Sequence, residues 1–128
     1  MAVKEYSLKK DGEVKLSEHF KVKEFKCKDG SDLILISDEL VKLLEKIRAH
    51  FGRTVRINSS YRTFAYNKAV GGSPKSQHML GTAADIQVSG VNPADVYKYC
   101  DSIVTGGCGK YKTFTHVDVR KSKARWNG

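Results

Sequence analysis

The chain has few residues that could cross-link it or anchor it in a membrane. Its three cysteines are an odd number without a C-x-x-C pair, which argues against a disulfide framework and against a thiolate zinc site. We expect Cys27, Cys100 and Cys108 to be free thiols, as in a reducing compartment. No apolar run approaches bilayer-spanning length, and residues 1–6 lack the features of a signal peptide. These absences predict synthesis in the cytoplasm and no membrane span.

Acidic residues are also in the minority. The 23 lysines and arginines outnumber the 14 aspartates and glutamates, for a formal charge of +9. Such a surface should attract polyanions, including nucleic acid, anionic lipid and the teichoic acids of a cell wall. The dense basic cluster is at 120–125, and elsewhere acidic residues are interleaved. Because neither a groove-reading helix nor an aromatic stacking platform is recognisable, we expect a solvated basic face and no nucleic-acid partner.

Length and composition are those of one globular domain. The 128 residues are 40% hydrophobic and 29% charged. A chain of this length can bury a core without disulfides or metal ions to stabilise it. We find no repeat, low-complexity segment or linker, and we expect a monomer. Residues 1–16 are polar and lysine-rich, so we predict an N-terminal arm or an edge strand around Val14 and Leu16, followed by a domain at 17–128.

The clearest predicted element is a helix that begins after Ser37. Ser37 is a good N-cap, apolar residues then recur every three to four positions, and Gly52 ends the helix. The other predicted elements are short. They are a helical turn at 16–20 capped by Ser17, a turn at 21–25, strands at 33–36, 54–59 and 84–88, a helix at 66–70, a helix after Asn92-Pro93, and closing strands within 103–119.

Two segments carry the candidate chemistry. His78 and Asp85 lie seven positions apart, and His116 follows about thirty residues later. Two imidazoles and one carboxylate are the ligand set of a catalytic zinc site, which keeps a fourth position for water. The residues between the first two ligands are small, and 84–88 alternates like a half-buried strand. On spacing alone, a metal-free His–Asp pair stays open.

Arg62 follows the predicted strand 54–59. A guanidinium matches a carboxylate in two parallel hydrogen bonds. Arg62 is therefore placed to meet an anionic group of a substrate, and a structural salt bridge is the alternative.

Four segments together resemble the zinc D-Ala-D-Ala carboxypeptidase group, and most closely the small peptidase M15 domains of bacteria and phages. The resemblance runs from about residue 17 to 120. The segments are F-K-V-K-E-F-K-C at 20–27, I-N-S-S-Y-R at 57–62, S-Q-H-M-L-G-T-A-A-D at 76–85 and F-T-H-V-D-V-R at 114–120.

The resemblance implies a fold and a site. The fold would be a single α+β domain, with a small antiparallel sheet flanked by helices, as in Hedgehog signalling domains and DD-peptidases. Zn²⁺ would be held by His78, Asp85 and His116. Arg62 would orient the substrate or stabilise the oxyanion, and Ser76 would lie at the substrate. That substrate would be the stem peptide of peptidoglycan.

The sequence departs from the family at the general base. Several relatives have an acidic residue three positions before the last histidine, where this chain has Thr113; others have a histidine at the position of Phe114. Asp118 is then the nearest candidate base, because it lies two residues after His116 on the same strand face. Orientation of a ligand and a salt bridge are the alternatives for Asp118.

The expected function is therefore a zinc peptidase, either a D-Ala-D-Ala carboxypeptidase or an endolysin-type endopeptidase. The basic surface slightly favours a lytic endopeptidase, since a cell wall is anionic. The absence of a signal peptide fits a phage or prophage lysis enzyme that is released from the cell, a tail-associated module or a cytoplasmic dipeptidase. A metal-containing module that binds the wall without catalysis, and a polyanion-binding protein, stay open.

Overall fold

The computed structural model describes residues 2–128, which form a mixed α/β domain with two sheets and four α-helices. The strands are β1 (Val3–Ser7), β2 (Leu33–Ser37), β3 (Val55–Ser59), β4 (Ala83–Val88), β5 (Gly107–Lys110), β6 (Thr115–Asp118) and β7 (Ala124–Asn127). The helices are α1 (Leu8–Asp11), α2 (Asp38–Phe51), α3 (Phe64–Ala69) and α4 (Pro93–Ile103), with 3-10 turns at Val22–Phe25 and Gln77–Leu80.

The larger sheet is mixed rather than wholly antiparallel, which corrects the sequence expectation. Its strand order is β3-β4-β6-β5-β7, and β1 pairs with β2 in a separate antiparallel sheet. Neighbours in the larger sheet are antiparallel except for β5 and β7. A parallel pair needs a crossover of about a dozen residues, and β6 with its flanking turns supplies it. Strand β7, which begins within the basic cluster at 120–125, was not predicted from the sequence.

Helices α2 and α4 cover one face of the larger sheet. The predicted start of α2 is confirmed, because the Ser37 hydroxyl accepts a hydrogen bond from the Leu40 N–H at 3.3 Å. Its predicted end is also confirmed, with Gly52 in the left-handed region at φ 63°. Asn92 caps α4 in the same way, accepting from the Ala94 N–H at 2.9 Å. Burying each large apolar side chain of these faces contributes roughly 1.5–3 kcal/mol.

The other face of the larger sheet is covered by the residues of a cleft. The alternating pattern of β4 predicted a half-buried strand. Because the cleft residues cover its polar face as well, five of its six residues are buried. Ala84, Ile86 and Val88 belong to the apolar core. Asp85 between them is also nearly inaccessible, at 7% exposure. The strand itself is confirmed.

The N-terminal segment differs from its prediction. The strand at 3–7 precedes the edge strand expected around Val14 and Leu16, and the helical turn expected at 16–20 is absent from the described residues. Instead of capping a turn, the Ser17 hydroxyl donates a hydrogen bond to Glu45 on α2. Met1, the first residue of the predicted arm, lies outside the described residues. The division of the chain at residue 16 stays a prediction.

The cysteines are free thiols, as the sequence predicts. All three cysteines are free and buried, and burial raises the pKa of the Cys100 and Cys108 thiols to about 12. Thiols with such high pKa values are inert nucleophiles at neutral pH. No helix within residues 2–128 is long and apolar enough to cross a bilayer.

Candidate metal centre

Three separate elements bring His78, Asp85 and His116 together. His78 lies on the 3-10 turn Gln77–Leu80, Asp85 on β4 and His116 on β6. Asp85 and His116 are direct partners in the antiparallel β4–β6 register. All three side chains are at least 90% buried.

The ligand atoms surround one carboxylate oxygen. Oδ1 of Asp85 lies 3.3 Å from Nε2 of His78 and 3.0 Å from Nδ1 of His116. One ligand atom from each residue lies within 4.8 Å of the others. Tetrahedral zinc with bonds of about 2.0–2.1 Å would separate its ligand atoms by roughly 3.3 Å. The donor set and its spacing therefore fit a metal ion.

Each imidazole directs one nitrogen to Asp85 and binds a different neighbour through the other. Nδ1 of His78 is 2.7 Å from the Ser60 carbonyl, and since a carbonyl only accepts, this nitrogen donates and Nε2 faces Asp85. Nε2 of His116 donates to Oδ2 of Asp118 at 2.8 Å, which leaves Nδ1 for the metal. Partners of this kind select the tautomer and the ring orientation of metal-binding histidines.

A tight backbone turn positions His78 before β4. The Ser76 hydroxyl accepts from the His78 N–H at 3.2 Å and caps the 3-10 turn. Gly81 ends it at φ 76°, where an added Cβ would lie 2.5 Å from the Leu35 carbonyl oxygen. Only glycine fits both the conformation and the close approach. The small residues noted in the sequence thus let the turn pack directly on β2.

The electrostatics of the cluster keep its carboxylate ionised. Burial raises the pKa of Asp85, but hydrogen bonds from His116 and His78 lower it by more, so that the pKa lies well below its usual range. Burial lowers the pKa of His116, while hydrogen bonds to Asp118 and Asp85 raise it above its usual value. A charged carboxylate ligand is therefore ready at neutral pH.

Asp118 lies behind His116 and away from the cleft. It is completely buried; Oδ1 accepts from the Gly107 N–H at 2.8 Å, and the Arg120 guanidinium binds both oxygens. Burial raises the pKa of Asp118, but hydrogen bonds from His116 and Arg120 lower it by more, well below its usual range. Of the roles left open for Asp118, these contacts favour orientation of His116.

Arg62 lies on the opposite side of Asp85. Its Nη2 is 3.6 Å from Oδ2 of Asp85, Nε donates to the Ser59 hydroxyl at 3.3 Å and Nη1 to the Asn67 side chain at 3.4 Å. Asn67 is 3% exposed and also donates to the Ser73 carbonyl. Asn67 therefore connects Arg62 to the loop that borders the site, a role that the sequence did not indicate.

A cleft of about 680 Å³ opens above these residues. Arg62, Lys75 and Arg120 make it basic. Among the described residues that line it, Asp85 supplies the one carboxylate. Ser76 and the aromatic residues Tyr111, Phe114 and Trp126 also line the cleft.

Tyr111, Arg120 and Trp126 had no assigned role in the sequence, yet they border the candidate ligands. Trp126 lies 4.9 Å from His116 between ring centroids, and Tyr111 stacks on Phe114 at 4.4 Å. The two glycines of β5, Gly107 and Gly109, leave room for large neighbouring side chains. They were a sequence signal for such neighbours, but the neighbours could not be identified without the strand order.

Comparison with known proteins agrees with this geometry. A family model described as Peptidase M15 matches residues 16–118. The matched region contains the three candidate ligands, Arg62 and Ser76, whereas Trp126 lies beyond it. None of the curated proteins matches the chain. With most of its length matched, and with a His-Asp-His cluster able to hold a metal ion, the chain belongs to the peptidase M15 family.

Proposed function

We propose that the chain is a zinc-dependent peptidase that hydrolyses the stem peptides of peptidoglycan. The observation that carries the proposal is the convergence of two oriented imidazoles on Oδ1 of Asp85 at the base of a cleft. Membership of the peptidase M15 family supports hydrolysis of a peptide bond. We also propose that the domain has the fold of Hedgehog signalling domains and DD-peptidases.

The residues proposed to hold zinc are His78 through Nε2, His116 through Nδ1 and Asp85 through its carboxylate. Two nitrogens and one oxygen suit zinc and leave a position for water. When bound, zinc lowers the pKa of its water towards neutrality and polarises the scissile carbonyl. The hydrogen bonds to Ser60 and Asp118 hold the two rings with Nε2 of His78 and Nδ1 of His116 directed to Asp85, where the ion would bind.

Arg62 is proposed to bind the substrate carboxylate or the oxyanion that develops at the scissile carbonyl. Its guanidinium is held by Ser59 and Asn67 on one side and lies beside Asp85 on the other. A cation already fixed in place stabilises developing charge without reorganisation. Ser76, which caps the turn carrying His78, borders the same cleft and is proposed to contact the substrate.

Asp118 is proposed to act on His116 rather than on water. Its oxygens accept hydrogen bonds from His116, Gly107 and Arg120, and it does not line the cleft. A carboxylate whose pKa is lowered in this way is a weak proton acceptor. Its charge instead favours the orientation in which Nε2 of His116 carries the proton.

The charge of the cleft supports an anionic substrate. Stem peptides carry free carboxylates, and Arg62, Lys75 and Arg120 border the place where the peptide would lie. A carboxypeptidase would remove terminal D-alanine, and an endopeptidase would cut within the stem or a cross-link. The charge of +9 slightly favours a lytic endopeptidase that works on an anionic wall after release from the cell. We propose that it acts as a monomer.

A metal-containing module that binds the wall without cutting it is a second candidate. The observation that favours it is the cleft lining, in which Asp85 is the one carboxylate that the described residues provide. Thr113 occupies the position where several relatives have an acidic residue, and Phe114 the position where others have a histidine. The Thr113 carbonyl accepts from Gln87, and Phe114 stacks on Tyr111.

Digestion of purified peptidoglycan tests the proposal. Zinc-loaded protein, chelator-treated protein and the His116→Ala variant are incubated with the wall, and the soluble products are analysed by mass. Zinc-dependent release of D-alanine would identify a carboxypeptidase, and zinc-dependent release of stem fragments an endopeptidase. Zinc-dependent retention on the wall without product would favour the binding module. If neither product nor zinc-dependent retention is observed, both proposals are overturned.

A further inference from the structure

Strand β5 has no side chain on the half of its surface that faces the cleft. Its sequence is Gly-Cys-Gly-Lys, and Cys108 points into the apolar core. The glycines on either side of it face the buried polar residues. A Cβ on Gly107 would lie 2.2 Å from Oδ2 of Asp118, and a Cβ on Gly109 would lie 2.5 Å from the Trp126 ring. A side chain at either position would therefore clash with Asp118 or Trp126.

Gly109 lies between His116 and Trp126 in the sheet. In the strand register it is paired with His116 of β6 on one side and with Trp126 of β7 on the other. Strands two apart are separated by roughly 9.6 Å, twice the usual spacing. The two rings nevertheless approach to 4.9 Å between centroids, because no side chain stands between them.

Trp126 is itself held in place from two directions. Its Nε1–H donates to the Tyr111 hydroxyl at 3.0 Å. The guanidinium of Arg120 lies 5.3 Å from the Trp126 ring centroid, within the range of a cation–π contact. Arg120 also binds Asp118, which accepts a hydrogen bond from Nε2 of His116.

We propose that Trp126 is a positioning residue of the metal site, and that β7 is thereby part of the functional centre although it lies beyond the matched family region. The contacts with Asp118 and Asp85 hold the two ring nitrogens of His116 but leave the ring free to tilt about the line that joins them. The Trp126 ring across Gly109 removes that freedom. His116 then loses less conformational entropy when it binds a metal.

The inference rests on the proposed metal site, and its test measures metal binding without substrate. The full chain is stripped with chelator, and zinc is titrated by calorimetry into the wild type, Trp126→Ala and Trp126→Phe. We expect Trp126→Ala to lower zinc affinity about 10- to 100-fold, as removal of a residue that orients a ligand does. Trp126→Phe keeps a flat ring on Gly109 and should restore most of the affinity.

Gly109→Ala tests the contact from the other side. The added methyl must displace the Trp126 ring, so this variant should lower zinc affinity as well. In the double variant Gly109→Ala/Trp126→Ala the two losses should not add, because both remove one contact. Tyr97→Phe is the matched control. It removes a tyrosine hydroxyl from α4, outside the cleft, so zinc affinity should not change.

Tryptophan emission provides a readout that stability alone would not change. Trp126 is the chain's only tryptophan, so its fluorescence should change on zinc addition in the wild type but not in His116→Ala. A role in folding alone would lower the melting temperature of the metal-free variants and leave zinc affinity within about twofold of wild type, and this result would overturn the proposal. If Trp126→Ala does not fold, the comparison of Trp126→Phe with Gly109→Ala decides it. Absence of peptidase activity in all proteins would end the proposed function without affecting this result.

Discussion

The two faces of the five-stranded sheet are built from alternate residues of the same strands. Towards α2 and α4, β4 and β6 present apolar side chains such as Ile86 and Val117, both completely buried. On the opposite face, the same strands present Asp85 and His116 at the cleft and Asp118 behind His116, and all three are also buried. Burial of these central side chains is thus nearly equal on both faces, and the faces differ in what the buried groups contact.

The difference shows how a small domain separates stability from chemistry. On the helix face, apolar area removed from water supplies the free energy of folding. On the cleft face, each buried charge needs a partner, and a buried ion pair contributes little net stability because desolvation offsets the attraction. Substitutions on the cleft face should therefore change zinc binding and turnover, whereas those on the helix face should change stability.

The largest expected effect on turnover is at the candidate ligands. His78→Ala, Asp85→Ala and His116→Ala each remove one of three ligands, so zinc should be lost and hydrolysis abolished. Elemental analysis of the purified variants measures the metal. Full zinc occupancy in any two of the three would show that the ligands have been wrongly assigned.

Arg62→Ala should have the next largest effect. Loss of one preorganised donor to an oxyanion costs about 100- to 1,000-fold in turnover, while zinc content should be unchanged since Arg62 is not a ligand. Steady-state kinetics and elemental analysis are measured together. Arg56→Ala is the matched control, because it removes the same charge from an exposed position on β3. Equal losses in the two variants would argue against a role for Arg62 in the cleft.

Asp118→Asn should act through the metal. An amide cannot hold His116 as the charged carboxylate does, so zinc affinity should fall about 10- to 100-fold, with turnover restored by added zinc. Asp101→Asn, which changes an exposed carboxylate paired with Arg125, is the control. Turnover that stays low at saturating zinc would instead identify Asp118 as the general base.

The smallest effect on zinc binding is expected on the helix face. Ile86→Ala leaves a cavity beside the ligand strand and should lower the free energy of unfolding by about 2 to 5 kcal/mol. Zinc affinity, measured well below the melting temperature, should remain near the wild-type value. Gln87→Ala, on the same strand but partly exposed, should change neither quantity. A large loss of zinc affinity in Ile86→Ala would show that the two faces are coupled.

Local signals were enough to predict several elements. Helix α2 is capped by Ser37 and ended by Gly52 as predicted, because capping and left-handed glycine depend on neighbouring residues. The turn at 21–25 is confirmed, with Phe20, Val22 and Phe25 buried. Where a distant partner decided the conformation, prediction failed: Ser17 bonds Glu45 across 28 positions instead of capping a turn.

For the candidate site, the sequence alone determined which residue types were available and in what spacing. His78, Asp85 and His116 could be proposed because few combinations of side chains bind zinc, and Arg62 because it follows a strand. Only the tertiary structure decided what lies behind and beside them. The orientation of His116 by Asp118, the link from Asn67 to Arg62, and the contact of Trp126 with His116 over Gly109 depend on strand order and register. Those properties arise from pairing between distant segments, which the local pattern of a chain does not encode.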